Sequence, residues 1–250
     1  MSLDGAHLEL ITDFPPEVPA FPAASRARVE RAVRFRSEIE AELQRYVAAN
    51  PSRYELEVMP DHSVQLRVTK NSEGLGPGLI FGDCVHSLRA ALDLLASDLA
   101  RLAGYLGEDV YFPFAKSAEL LPAAIKSKNF HRCGADAVQV LKTVAPFAGP
   151  GGNGLLRALH DLDIRDKHRA LVLGRSTYRV ETQLQYLDVP GTKIEYFAAP
   201  DVHAFAMPAE GPLAGKDVLE TLDEFILLVG GIIDSFVKMH AARPAAKSPS

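Results

Sequence analysis

Phe81, Val85, Leu88, Leu92, Leu95, Leu99 and Leu102 recur at steps of four and three residues without a break. A strand cannot collect such a set on one side, because its side chains alternate with a period of two; an α-helix can. The spacing predicts a helix over Leu79–Leu102 with an apolar seam that must be covered by another element. Val218, Leu222, Phe225, Val229, Ile232, Phe236 and Met239 repeat the same rhythm and predict a second long helix over Lys216–Ala242. Its middle is apolar all round, which places it centrally. Gly230 and Gly231 weaken that helix, and a close approach by a neighbouring helix is the expected return. The two seams are expected to pack on each other. A third helix lies alongside, from a Ser25 cap to Asn50, with Val29, Val33, Ile39, Leu43 and Val47 at helical spacing and Pro51 as its stop.

Shorter elements fill the remainder. "RYELEVM" and "SVQLRVTK" alternate apolar and polar residues around "PDH", which predicts a β-hairpin. "DVYFPF" reads as a short strand, and Ala118–Lys126, Ala135–Val144 and Leu155–Asp166 read as helices. Strand patterns follow in "RALVLG", "YRVETQLQYLDV", "TKIEYFAA" and "HAFAMP". Helices and strands fall in separate runs, so the expected class is α+β: a helix-dominated core of long packed helices with a small antiparallel sheet and a β-hairpin. Residues 1–24, rich in proline, are expected to form an extended arm, 25–242 a single domain and 243–250 a disordered tail.

The chain has 250 residues, 47% of them hydrophobic, enough for one substantial core. Its net charge of −5 argues against a protein that coats nucleic acid, although a local basic patch stays open. Arg26, Arg28, Arg31, Arg34 and Arg36 of the first helix are read as a solvated face balanced by Glu38, Glu40 and Glu42. Cys84 and Cys133 form no CxxC motif, which fits a cytoplasmic setting without a disulfide framework. The beginning lacks the basic and apolar regions of a signal peptide, and the longest apolar run, "FILLVGGII", is too short to span a bilayer.

Polar residues flank the first seam. On a helical wheel His86, Arg89 and Asp93 fall within about 60° of one another, with Asp83 further round. An acid, a base and an arginine beside a buried face are either a structural network or a binding site. Arg89 and Asp93, four apart, can pair within the helix.

"GDCVHSLRAALDLLA", the following "FPF" and "VAPFAGPGGNGLLRALHDLDIRDKHRAL" together resemble an uncharacterised family of bacterial proteins. Its members share a Gly-Asp/Glu-x-x-His-Asn-Leu-Arg-Ser-Ala-Leu-Asp-His helix, a Phe-Pro pair and a later Asp-Lys-His-Arg. The match runs from Gly82 to Leu171. The resemblance implies Asp83, His86, Arg89, Asp93, Asp166, Lys167, His168 and Arg169 as the recurring polar positions, and brings no activity with it. The family's Arg-to-His spacing is similar to that of HEPN-type helical ribonucleases, in which an Arg steadies the scissile phosphate and a His moves protons. Here the His position is Leu94. "RALH" and "RDKH" leave only two residues between Arg and His, so such chemistry would need His86, His160 or His168 as an unusual base.

"HDLDIRDKHR", from His160 to Arg169, closes the helix whose buried ridge is expected to be Leu155, Leu159 and Leu162. His160 and Asp163, three apart, can face one way. Lys167, His168 and Arg169 suit a helix C-terminus. This corner is expected to meet His86, Arg89 and Asp93, with His168 or Arg169 within reach of them, and to form one polar pocket. Asp83/His86 and His160/Asp163 have spacings that could hold a divalent ion, but no HExxH or ExxH occurs, and no metal or cofactor is assigned. The expected function is a binding or accessory module for an unidentified ligand, with an anionic ligand open. The alternative is a HEPN-like RNA phosphodiesterase or a metal-dependent hydrolase. A nucleic-acid partner is not favoured, a membrane partner is not expected, and a homodimer stays open.

Overall fold

A computed structural model describes residues 20–49, 52–58, 64–69, 75–168, 193–198, 205, 207 and 212–242. The long helices are α1 (Ala23–Ala49), α2 (Leu75–Leu102) and α6 (Val218–Ala241); α3 (Leu121–Ser127), α4 (Ala135–Val144) and α5 (Gly154–His168) are shorter, and a 3-10 turn spans Phe130–Cys133. The strands are β1 (Ser52–Val58), β2 (Val64–Thr69) and β3 (Lys193–Ala198).

The α+β class, with its small sheet and hairpin, is corrected. The body of the described chain is helical, and every side chain of its described core sits on a helix or on a connection between helices. The backbones of β1–β3 run antiparallel in the order β2-β1-β3, but they supply no described layer of that core. The physical reason is that three long helices side by side cover one another's apolar seams without a sheet. "RALVLG" and "YRVETQLQYLDV" lie outside the described residues, as do most of the N-terminal arm, the tail and most of "HAFAMP".

The α2 seam is buried from Phe81 to Leu99, each of its residues at 0% exposure, whereas Leu102 in the last turn is 43% exposed. Its most extensive neighbour is α1 rather than α6. Small residues make this possible. Ala32, Cys84, Ser87 and Ala91 are all buried, and α2 side chains reach the α1 backbone: Cys84 Sγ lies 3.5 Å from the Ala32 carbonyl, and Ser87 Oγ donates to the Arg28 carbonyl at 3.2 Å. Val218, Leu222, Phe225, Val229, Ile232 and Phe236 of α6 close the other side. Gly230 and Gly231 do not serve a close approach: a Cβ at either position would meet nothing within 4 Å.

Local chemistry sets the ends. Ser25 does not cap α1; it lies within the first turn, fully buried. After α2 the chain turns at Gly104, at φ +84°, with Gly104 N–H bound to the Arg101 carbonyl and Tyr105 N–H to that of Ala100, both at 2.9 Å. This satisfies carbonyls the helix would otherwise leave open. Asn153 Oδ1 accepts the Leu156 N–H at 3.0 Å and caps α5, and Asp217 Oδ1 accepts the Glu220 N–H at 2.8 Å and caps α6.

"DVYFPF" is not a strand. It crosses beside α2 outside any helix or strand, and its ladder pairing is limited to an isolated parallel bridge between Ala115, just after it, and Phe147. Val110, Phe112 and Ala115 are nevertheless buried. Rings carry the packing onward, from Phe112 to Phe130 at 5.9 Å between centroids and from Phe130 to Phe236 of α6 at 6.2 Å.

Candidate functional site

Helix α5 lies along α2 in antiparallel sense. His86 Nδ1 is 3.0 Å from Asp163 Oδ1, and three residues further along α2, Arg89 Nε is 3.4 Å from Nδ1 of His160, three residues back along α5. The two stripes therefore meet, at His160 and Asp163. Leu159 and Leu162 are buried on that helix as expected, but Leu156 rather than Leu155 completes the fully buried ridge.

Arg89 is only 8% exposed, and its donors point inward. Nη2 donates to the Phe112 carbonyl at 3.2 Å. Nη1 lies 2.8 Å from Asp93 Oδ1, a charge contact whose N–H is not aimed at the oxygen. The guanidinium stands 4.7 Å over the Phe114 ring, which itself stacks on His160 at 4.1 Å and 6°. Asp93 Oδ1 accepts the Phe112 N–H at 3.0 Å. One arginine and one aspartate, a helical turn apart, thus bind both polar groups of a single backbone residue.

The same logic extends along the segment. Buried backbone groups outside helices and sheets need partners. Tyr111 N–H donates to the Lys128 carbonyl, and Ala115 N–H to that of Pro146, both at 3.0 Å. Arg157 Nη1 donates to the Ala115 carbonyl at 3.1 Å while its Nε and Nη2 grip Asp161. Sequence reasoning missed Phe112, Phe114, Arg157 and Asp161 as parts of this arrangement. The available signal was the proline of "FPF": it removes a donor and excludes a central strand, so the neighbouring backbone must be held by side chains.

Burial, together with the Arg89 and Arg157 charges, pushes His160 down from 6.5 to about 4. Its ring is neutral at pH 7, with Nδ1 the acceptor for Arg89 Nε and the proton on Nε2. His86 differs: its side chain is 54% exposed while that of Asp163 is 4% exposed. Because a carboxylate accepts at Nδ1, the His86 ring carries its hydrogen there, which leaves Nε2 as the atom free to meet a ligand.

Asp83 is exposed on the first turns of α2. Asp166, Lys167 and His168 form the last residues of α5, but their side chains lie outside what is described, and Arg169 lies outside entirely. The expected contact of His168 or Arg169 with the stripe therefore falls on residues not described. Among the described residues no three His, Cys, Asp or Glu side chains converge as a metal ion would require. Cys84 is buried, and burial pushes its thiol up to about 12, so it is no nucleophile at neutral pH.

No family model, no curated protein and no solved structure matches the chain. Among the described residues no helix is long and apolar enough to cross a membrane.

Proposed function

We propose that the protein is a cytoplasmic binding or accessory module in which Arg89, Asp93 and His160 are framework, and His86, oriented by Asp163, is the group that meets a ligand. The inward aim of Arg89 carries this reading. A ribonuclease of the HEPN kind needs its arginine at the scissile phosphate, and this one is occupied by the Phe112 carbonyl and His160. Both cysteines are free thiols, in keeping with a reducing compartment.

The second reading is an RNA phosphodiesterase with His86 as its base. It is favoured by the His86–Asp163 pair, since a buried carboxylate that fixes an imidazole is a recurrent catalytic arrangement. Incubation of the purified protein with total RNA, with and without EDTA, separates the two. The module reading expects intact RNA in both. Cleavage by the wild type that disappears in His86→Ala would establish the phosphodiesterase instead.

A further inference from the structure

Arg26, Arg28, Arg31, Arg34 and Arg36 of α1 are expected from the sequence to form a solvated face balanced by Glu38, Glu40 and Glu42; among the described residues, only Glu40 of these carboxylates pairs with one of those arginines, Arg36. Arg26 pairs with Asp234 of α6 at 2.8 Å. Arg36 holds Asp223 of α6 through Nε and Nη2 at 3.0 and 3.1 Å and also contacts Glu40. Arg45 pairs with Glu42 at 2.6 Å. These three tie α1 to α6 or to itself.

Arg28, Arg31 and Arg34 are left over. All three are exposed, and among the described residues none has a carboxylate partner. Arg31 instead lies 5.0 Å over the Phe35 ring. At positions i, i+3 and i+6 they follow one another along the helix at steps of about 4.5 Å. Glu30 and Glu38, four residues to either side of Arg34, are exposed too, yet neither forms an ion pair with it. Like charges three residues apart on a helix repel, and no direct ion pair among the described residues offsets this row.

We propose that Arg28, Arg31 and Arg34 form a docking ridge for the phosphodiester backbone of a nucleic-acid strand. The guanidinium fork matches a phosphate's oxygens in geometry and stays charged at any cellular pH. A row of three matches a linear polyanion better than a single small ion. The chain as a whole carries a net charge of −5, so such a contact rests on a local basic row rather than on a generally basic protein. The inference is independent of the His86 site and requires no cleavage.

The test is fluorescence anisotropy of a labelled oligouridine on the full chain as salt rises from about 50 to 200 mM. Three phosphate contacts to a single strand predict a slope of log K against log salt of about −2. The triple variant Arg28→Gln, Arg31→Gln, Arg34→Gln should lose about tenfold or more in affinity at low salt and most of that slope. Because the side chains are exposed, it should keep the wild-type circular dichroism. A control triple, Lys116→Gln, Lys126→Gln, Lys142→Gln, changes net charge equally and should bind as the wild type does. Glu38→Gln should bind more tightly. The proposal is overturned if the wild type shows no salt-dependent binding, if both triples lose it alike, or if anionic phospholipid vesicles are retained while oligouridine is not.

Discussion

Arg89 Nη2 donates to the Phe112 carbonyl at 3.2 Å, while Asp93 of the same helix accepts the N–H of the same residue at 3.0 Å. This double grip accounts for the Arg–Asp pair beside the α2 seam without any ligand. Asp93→Ala should cost about 1–3 kcal/mol, because it leaves a buried N–H and a buried guanidinium short of partners. Arg89→Ala should cost a similar amount through lost packing on Phe114. In urea titrations the double variant should lose less than the sum of the two. Strict additivity would mean that the residues do not act together.

Leu92 is fully buried on the α2 seam. Leu92→Ala should cost about 2–5 kcal/mol. A loss below about 1 kcal/mol in chemical denaturation would contradict the helix packing described above.

His160 gives stability a dependence on pH with a definite sign. Its ordinary value is 6.5, and the folded protein holds it at about 4. As pH falls, the unfolded chain takes up this proton before the folded one. The stabilisation is therefore complete above pH 6.5, declines between 6.5 and 4, and falls no further below that. Allowing for solvent screening of a ring that is not wholly buried, the loss is about 2 kcal/mol. His160→Phe keeps a ring against Phe114 but cannot titrate. Its stability between those limits should fall less steeply than that of the wild type; equal slopes would remove His160 as the cause.

Two kinds of glycine should respond in opposite directions. A Cβ on Gly152 would lie 2.1 Å from the Phe147 carbonyl oxygen, so Gly152→Ala should destabilise by about 2 kcal/mol or more. At Gly231, in mid-helix and facing open space, Gly231→Ala should stabilise by about 0.5–1 kcal/mol. Thermal unfolding of the two variants reads both signs.

The long helices were legible because a period near 3.6 is written over many residues, and α4 was read to its observed limits. The meeting of the α2 and α5 stripes was legible in part. The i, i+3 spacing of His160 and Asp163 put both on one face, and the structure places both against α2. What the sequence hid were relationships between segments far apart in it. Nothing near Arg89 indicates that its partner is the backbone of Phe112, because a carbonyl leaves no mark in residue identity. "DVYFPF" misled because apolar residues around a proline resemble a strand until the partner strand is sought. Gly230 and Gly231 misled for a similar reason: a small residue permits close approach but does not require it. The arginines of α1 were read by counting charges, and counting does not say which carboxylate on α6 takes which guanidinium.

The most direct test of the claim that the α2 stripe is framework is amide hydrogen exchange at Phe112. This residue lies in neither helix nor strand, so its N–H has no protection from secondary structure. With Asp93 as its acceptor it should exchange slowly in the wild type, as slowly as the amides of the buried helix turns beside it, and should become fast in Asp93→Ala while the core of α2 stays protected. A Phe112 amide that exchanges at the rate of an open loop in the wild type would contradict the account, and would return Arg89 and Asp93 to the list of groups free to act on a ligand.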